Sequence, residues 1–376
     1  MKVTLAILFA FISSTALAND GFYQGAGSDM VPVTNEGLRV LEETLTFEPI
    51  SPPACYELIL PKGALKQPKF NGFLGVGKRA KDCDPRKFSS TFIAKWRVSA
   101  VYKIQALKSQ ADVQMGFPVL KWSTDFADEK GEELCCSGSF PGATGFKVTI
   151  DGKPVTLLSE GAIRAASHKA GSKTFDVGEV PLHGYFWKAS FEQGKTYTLK
   201  TSYNQGVDYS TGFSTKAIEN GGKPWYPLKS EVKPGSEQWA PGLFENLIYY
   251  LTPLSLWAPP APERISIHLK LPAWMPVTLV HTNYPKATCL EPGQIHFELK
   301  QKLPDEELHV VFPEPPAAGK APVLPKITNK AEWAAWRKTT GDAKITCALL
   351  EQLKVGADSQ LRTVLNEFTC TPACTP

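Results

Sequence analysis

The sequence is short of most signatures that announce a function. After its first dozen residues it has no apolar run approaching the roughly 20 residues needed to span a bilayer, so no membrane span is expected. It has no Cys-x-x-Cys pair, which removes the common structural zinc arrangements. It has no Gly-x-Ser-x-Gly. Gly212-Phe213-Ser214 runs on to Lys216 where a second glycine should stand, without the strand–turn–helix frame of a nucleophile elbow. No asparagine lies in an Asn-x-Ser/Thr sequon, which for an exported chain favours a bacterial periplasm. Charge of one sign is also scarce: the formal net charge is +4 over 376 residues. That balance does not supply the clustered basic surface a nucleic-acid partner needs. No tandem repeat of fixed period is present.

What the chain does have begins at its first residues. Lys2 is followed by an apolar run from Val3 to Ile12, then Ser13, Ser14 and Thr15, then Ala16-Leu17-Ala18 before Asn19. This is the three-part layout of a secretion signal, with cleavage expected between Ala18 and Asn19. No cysteine follows Ala18, so lipidation is not expected. The exported chain would be periplasmic or secreted. Export changes the reading of the eight cysteines, Cys55, Cys83, Cys135, Cys136, Cys289, Cys347, Cys370 and Cys374. An even count outside the cytosol favours disulfides. Adjacent Cys135 and Cys136 would be strained as a pair, so each should find a distant partner. Cys55 and Cys83 flank a loop-like stretch and could bridge each other or reach the Cys135-Cys136 pair. Cys347 falls within reach of Cys370 or Cys374 if two short helices fold back on each other.

The dominant pattern is period two. Phe92, Ala94, Trp96, Val98, Ala100, Tyr102, Ile104 and Ala106 alternate with mostly polar residues, which predicts one long strand with a buried face. Val113, Met115, Phe117 and Val119 alternate after a short polar turn and predict a hairpin with it. Phe146, Val148 and Ile150 lead to Asp151-Gly152, a strong two-residue turn. Further strands are predicted around Leu41–Phe47, Tyr197–Tyr203, Ile265–Leu271, Ile295–Leu299 and Val310–Phe312. Many short strands separated by turn residues argue for a mostly β fold, an antiparallel β-sandwich, with a distorted barrel as the alternative. The β-rich part is expected over 19–312, in one unit or in two β subdomains divided near 252–262. Five prolines between Pro313 and Pro325 read as a stiff linker over 313–328. A helical tail over 329–376 follows, with an Asn329/Glu332 capping box and an Asp358 cap. The tail is too small for a core of its own, and needs a disulfide or docking on the β part to hold it.

Candidate chemistry is sparse. Gly72 to Lys78 has the spacing of a phosphate loop, but Arg79 stands where Ser or Thr should meet magnesium, so a flexible basic loop is the better reading. The carboxylates between Asp125 and Glu133 lack the alternation around a glycine turn that calcium wants. His268, His296 and His309 fall on polar faces of successive predicted strands, where three imidazoles could converge on zinc; surface histidines are the plainer reading. Of Trp187, Trp225, Tyr226, Trp239, Trp257 and Trp274, most should be core. Trp225, Tyr226 and Trp239 sit in Pro/Gly-rich sequence where exposed rings could stack on a sugar or a protein.

The order of the strand motifs resembles the bacterial exported domain of unknown function 4424 family. The likeness starts at Asn19-Asp20 and passes through Glu42-Glu43. It continues with Trp96 to Ile104, Val113 to Pro118, Phe146 to Lys153, Trp187 to Tyr203 and Tyr250 to Ile265. It covers roughly 19–312 and departs at the cysteine-bounded stretch 50–90, the Cys135-Cys136 loop and the tail. The resemblance implies a periplasmic β-rich protein and brings no reaction or catalytic residues. The sequence therefore leads to a non-enzymatic binding or structural role without a cofactor; it leaves the partner unknown, with a glycan or a cell-envelope protein as candidates. A lectin-like module using the loop aromatics and a metal-dependent hydrolase are the alternatives.

Overall fold

The structure is a computed structural model. It describes residues 21–26, 29–32, 37–55, 93–123, 139–141, 143–164, 168–170, 173–175, 181–206, 208–210, 244–249, 251, 254, 257–282, 288–302, 308–313 and 324–374. The signal expected over 1–18 lies outside them. The described residues are mostly strand, with a large mixed sheet, smaller sheets and three α-helices near the C-terminal end; they form no closed barrel.

The large sheet has nine strands. From edge to edge they are Lys344–Ile345, Cys289–Glu291, Gln294–Lys300, Arg264–Lys270, Leu38–Cys55, Ile93–Ala106, Thr196–Gln205, Ala143–Ile150 and Lys153–Pro154. Arg264–Lys270 runs parallel to Leu38–Cys55, and Cys289–Glu291 runs parallel to Lys344–Ile345. The sheet is thus mixed rather than purely antiparallel. Both parallel pairs join segments far apart in sequence, where no tight turn dictates an antiparallel return.

Alternation explains its two faces. Ile345, Leu290, Ile295, Leu269, Phe47, Val98 and Tyr203 are register partners in a row across the sheet, and all are buried. One residue along, the row reads Cys289, His296, His268, Thr46, Ser99 and Ser202 on the opposite face. Ion pairs decorate this second face. Glu42 meets Lys103 at 2.6 Å and Arg264 at 3.5 Å, and Glu48 meets Lys270. The hydrogen bonds from Lys103 and Lys270 hold the Glu42 and Glu48 carboxyls below the ordinary glutamate range. The register slips between Val40 and Glu42, after which Glu43 points into the core at 1% exposure.

Two of the smaller sheets pack on the apolar face. A six-stranded sheet is built around Gln110–Ser123 and Pro181–Phe191. Phe117 of this sheet lies 4.8 Å from Phe146 and 4.7 Å from Tyr203 of the large one, ring centre to ring centre. A four-stranded sheet contains Asp208–Ser210, Phe244–Tyr249, Leu308–Pro313 and His281–Thr282. Its Phe312 meets Trp96 at 5.5 Å and its Tyr249 meets Phe47 at 5.4 Å. His281, paired in register with Val311, is 6% exposed.

The predicted long strand is Ile93–Ala106, with Trp96, Val98, Ala100, Tyr102, Ile104 and Ala106 all buried. Its predicted hairpin with Val113–Val119 does not form. Gln110–Ser123 leaves for the six-stranded sheet and pairs with Pro181–Phe191. The connector bends at Leu107 and Lys108, and Asp112 takes a φ of 52°. The two apolar faces then oppose each other across the core instead of lying side by side, which removes more carbon from water. Asp151-Gly152 does form its turn, with φ values of 49° and 76°, the double positive of a type I′ hairpin loop.

Three helices lie at the C-terminal end, and a disulfide ties them to the large sheet. Helices α1 (Lys330–Thr340), α2 (Cys347–Lys354) and α3 (Ser359–Glu367) begin at Asn329, Thr346 and Asp358, whose side chains accept from Glu332, Leu349 and Leu361 backbone amides. Glu332 reaches back to Thr328, completing a box-like cap. Cys347 is bonded to Cys370, one of the two partners within its expected reach. Cys374 is bonded to Cys289 of the large sheet, a pairing the sequence did not suggest. Cys83, Cys135 and Cys136 lie outside the described residues, as does the side chain of Cys55. No helix among the described residues is long and apolar enough to cross a membrane.

Candidate functional site

Where the tail meets the large sheet, a cleft of about 510 Å³ opens. One wall is the turn segment after strand Arg264–Lys270. Pro272 and Pro276 fix its backbone, and the amides of Met275 and Leu279 bond back to their carbonyls at 2.9 and 3.0 Å. The Pro292-Gly293 turn, with Gly293 at a φ of 71°, adds the floor between Cys289–Glu291 and Gln294–Lys300. Leu324 to Ile327 form the second wall on the way into α1, held by the Asp358 amide on the Thr328 carbonyl at 2.8 Å. Helix α2 closes the third side with Leu349, Gln352 and Leu353, followed by Val355.

The lining is mainly carbon. Trp274, Met275, Leu353 and Val355 supply much of its apolar surface, with Thr278, Lys326 and Gln352 as polar points. Val355 is 71% exposed, unusual for an aliphatic side chain beside a cleft. The Cys347–Cys370 and Cys289–Cys374 disulfides fix the helical wall against the sheet. The cleft is therefore preformed, and its size lies in the range of about 300–1,000 Å³ found for small-molecule sites.

A second feature lies on the polar face. Register places His268 opposite His296, with their Nδ1 atoms 2.9 Å apart and their rings nearly perpendicular at 89°. His296 Nε2 is 2.7 Å from Glu291 Oε1. Burial, then the neighbouring His296 and Lys270, lower the pKa of His268 below the ordinary histidine value. Glu291, His296 and Cys374 also gather within 4.8 Å, but the Cys374 sulfur is committed to Cys289 and offers no thiolate.

The expected site residues divide as follows. His268 and His296 meet; His309 is on Leu308–Pro313 in the four-stranded sheet, in register with Ile248, away from that pair. Trp225, Tyr226 and Trp239 lie outside the described residues, as do Gly72–Lys78 and the acidic stretch 125–133. Trp187 and Trp257 are core, the latter stacked on Tyr102 at 6.2 Å. Trp274 is half-buried and lines the cleft. Sequence reasoning missed Glu291 as the partner of His296, and it missed the cleft. The only sequence signal for the cleft was the density of proline at 272, 276, 292 and 325.

No family model matches this sequence, and no curated protein matches it. Among solved structures, a candidate nutrient-binding protein of Legionella pneumophila is similar over 79% of this chain and 72% of its own. Its TM-score is 0.41 and its identity 12%. An M1 zinc metallopeptidase of Deinococcus radiodurans is similar over 75% of this chain at a TM-score of 0.30 and 10% identity. The chain spans 44% of that enzyme's length.

Proposed function

We propose that this chain is a non-enzymatic binding protein of the cell envelope, and that the cleft beside α2 takes a compact apolar molecule with one anionic end. The observation that supports this reading is the preformed, carbon-lined volume of about 510 Å³, with Lys326 the one charged side chain among its described lining residues. An apolar body would displace water from Trp274, Met275, Leu353 and Val355, at about 25 cal/mol per Å² of buried carbon surface. An anionic group would reach Lys326. Export by the N-terminal signal and the ordered strand motifs resembling the domain of unknown function 4424 family belong to the same proposal.

The test uses 1-anilinonaphthalene-8-sulfonate, an apolar body with a sulfonate. One dye per chain is expected to bind saturably, with quenching of tryptophan emission. Val355→Asp and Lys326→Glu should each weaken it about tenfold, or about 1.4 kcal/mol. Unchanged binding in both variants, or many dyes per chain, would show that the cleft is not the site.

A further inference from the structure

We propose that His268 and His296 form a transition-metal site oriented by Glu291, with Cu²⁺ as the best-fitting ion. The site is separate from the cleft and does not depend on its ligand.

The argument starts from register. His268 and His296 are held opposite each other because Ile267, Leu269, Ile295 and Phe297 on the same two strands are buried on the other face. A slip of one residue by either strand would drive its imidazole into the core and its two flanking apolar side chains into water, so the pairing is strongly specified. The two rings are therefore prearranged by carbon burial elsewhere.

The proton inventory follows from Glu291. An ionised carboxylate only accepts, so the nitrogen it meets, His296 Nε2 at 2.7 Å, must donate. In neutral His296 the other nitrogen, Nδ1, then carries a bare lone pair. That lone pair faces His268 Nδ1 at 2.9 Å, which supplies the proton between them. A carboxylate that fixes the tautomer of a ligating histidine is the usual second layer of a metal site. Binding requires one rearrangement, in which the His268 proton moves from Nδ1 to Nε2 through solvent. The metal then bonds the two freed Nδ1 lone pairs, and no net proton is released.

Spacing admits an ion, and the order of metal affinities selects it. Two nitrogens each about 2.05 Å from a metal lie about 2.9 Å apart at a right angle and about 3.3 Å apart at the tetrahedral angle. The 2.9 Å of the hydrogen-bonded pair is close to both, and imidazole affinity, highest for Cu²⁺ among the first-row divalent ions, favours Cu²⁺. Each lone pair must turn by about 45° from the N–N line to meet at a common point beside it, the angle a right-angled pair of equal bonds requires. Water would complete the coordination, since the His296 and Glu291 side chains keep 16% and 28% exposure. Glu291 offsets part of the ion's charge, and the nearby Lys270 ammonium is already paired with Glu48.

The experiment is a competitive titration of the tag-free full chain, disulfides intact, with Cu²⁺ buffered by glycine, followed by electron paramagnetic resonance. One Cu²⁺ per chain with two coordinated nitrogens is expected. His268→Ala and His296→Ala should each weaken binding about 100-fold, and Glu291→Gln about tenfold, in the range for loss of an orienting partner. His309→Ala should leave binding unchanged, and Zn²⁺ should bind at least about tenfold more weakly than Cu²⁺. Near-ultraviolet circular dichroism confirms that each variant is folded. The proposal is overturned by no binding above glycine, by full binding in the His268→Ala/His296→Ala double variant, by an equal loss in His309→Ala, or by tighter Zn²⁺ than Cu²⁺.

Discussion

Lowering the pH should destabilise this protein through one deeply buried imidazole, starting above the range in which carboxylates protonate. His281 lies at 6% exposure in the four-stranded sheet, and burial lowers its pKa from 6.5 to about 4. The folded state thus keeps it neutral where the unfolded chain, at about 6.5, already takes up a proton. Above about pH 6.5 neither state binds that proton and His281 is silent. As pH falls from 6.5 towards 4, the unfolded state alone is stabilised, so stability is lost across that window and levels off below it. For these two pKa values the loss is about 2 kcal/mol at pH 5 and about 3 kcal/mol at pH 4. The assay is urea unfolding by tryptophan fluorescence at half-unit steps from pH 8 to pH 4, disulfides intact, for the wild type and His281→Leu. The variant should lose this part of the pH dependence, while the falls due to Glu42, Glu48 and His268 remain common to both proteins. Parallel curves for the two proteins between pH 6.5 and 4.5 would refute the reasoning.

Two further perturbations test the packing. Replacing Cys347 and Cys370 by alanine opens a loop with a sequence separation of 23, and replacing Cys289 and Cys374 opens one of 85. Loop-closure entropy assigns about 3 and about 5 kcal/mol respectively, so the second pair should lower the melting temperature more in calorimetry. Trp96→Ala removes the ring that joins the large sheet to Phe312 and should cost about 3–5 kcal/mol in urea unfolding; a loss below about 1 kcal/mol would mean the two sheets are not coupled there.

Period and caps were legible in the sequence. Trp96 to Ala106 alternates because one face is buried and the other solvated, and the backbone follows that pattern directly. Asn329 and Asp358 mark helix starts because their side chains satisfy orphan amides within three residues. Partner choice was not legible. Val113 to Val119 alternates just as a hairpin partner would, yet period two states only which side of a strand is wet. The same limit applies to the site. His268 and His296 were visible as polar-face residues, but only the register put them together, and only the register kept His309 out. The cleft was hidden for another reason. Its walls come from four separate segments, and no local pattern records that they meet.

The strand Leu38–Cys55 sits mid-sheet, between Ile93–Ala106 and Arg264–Lys270. Its Glu48 waits for Lys270, 222 residues further along the chain. At a synthesis rate of about 5–20 residues per second, that wait is on the order of 10–40 seconds. During it the strand has one hydrogen-bonding edge satisfied and the other bare, a template for any passing strand. A chain built this way gains from being kept unfolded until it is complete, so its assembly should be slow and its yield sensitive to whatever holds nascent segments apart.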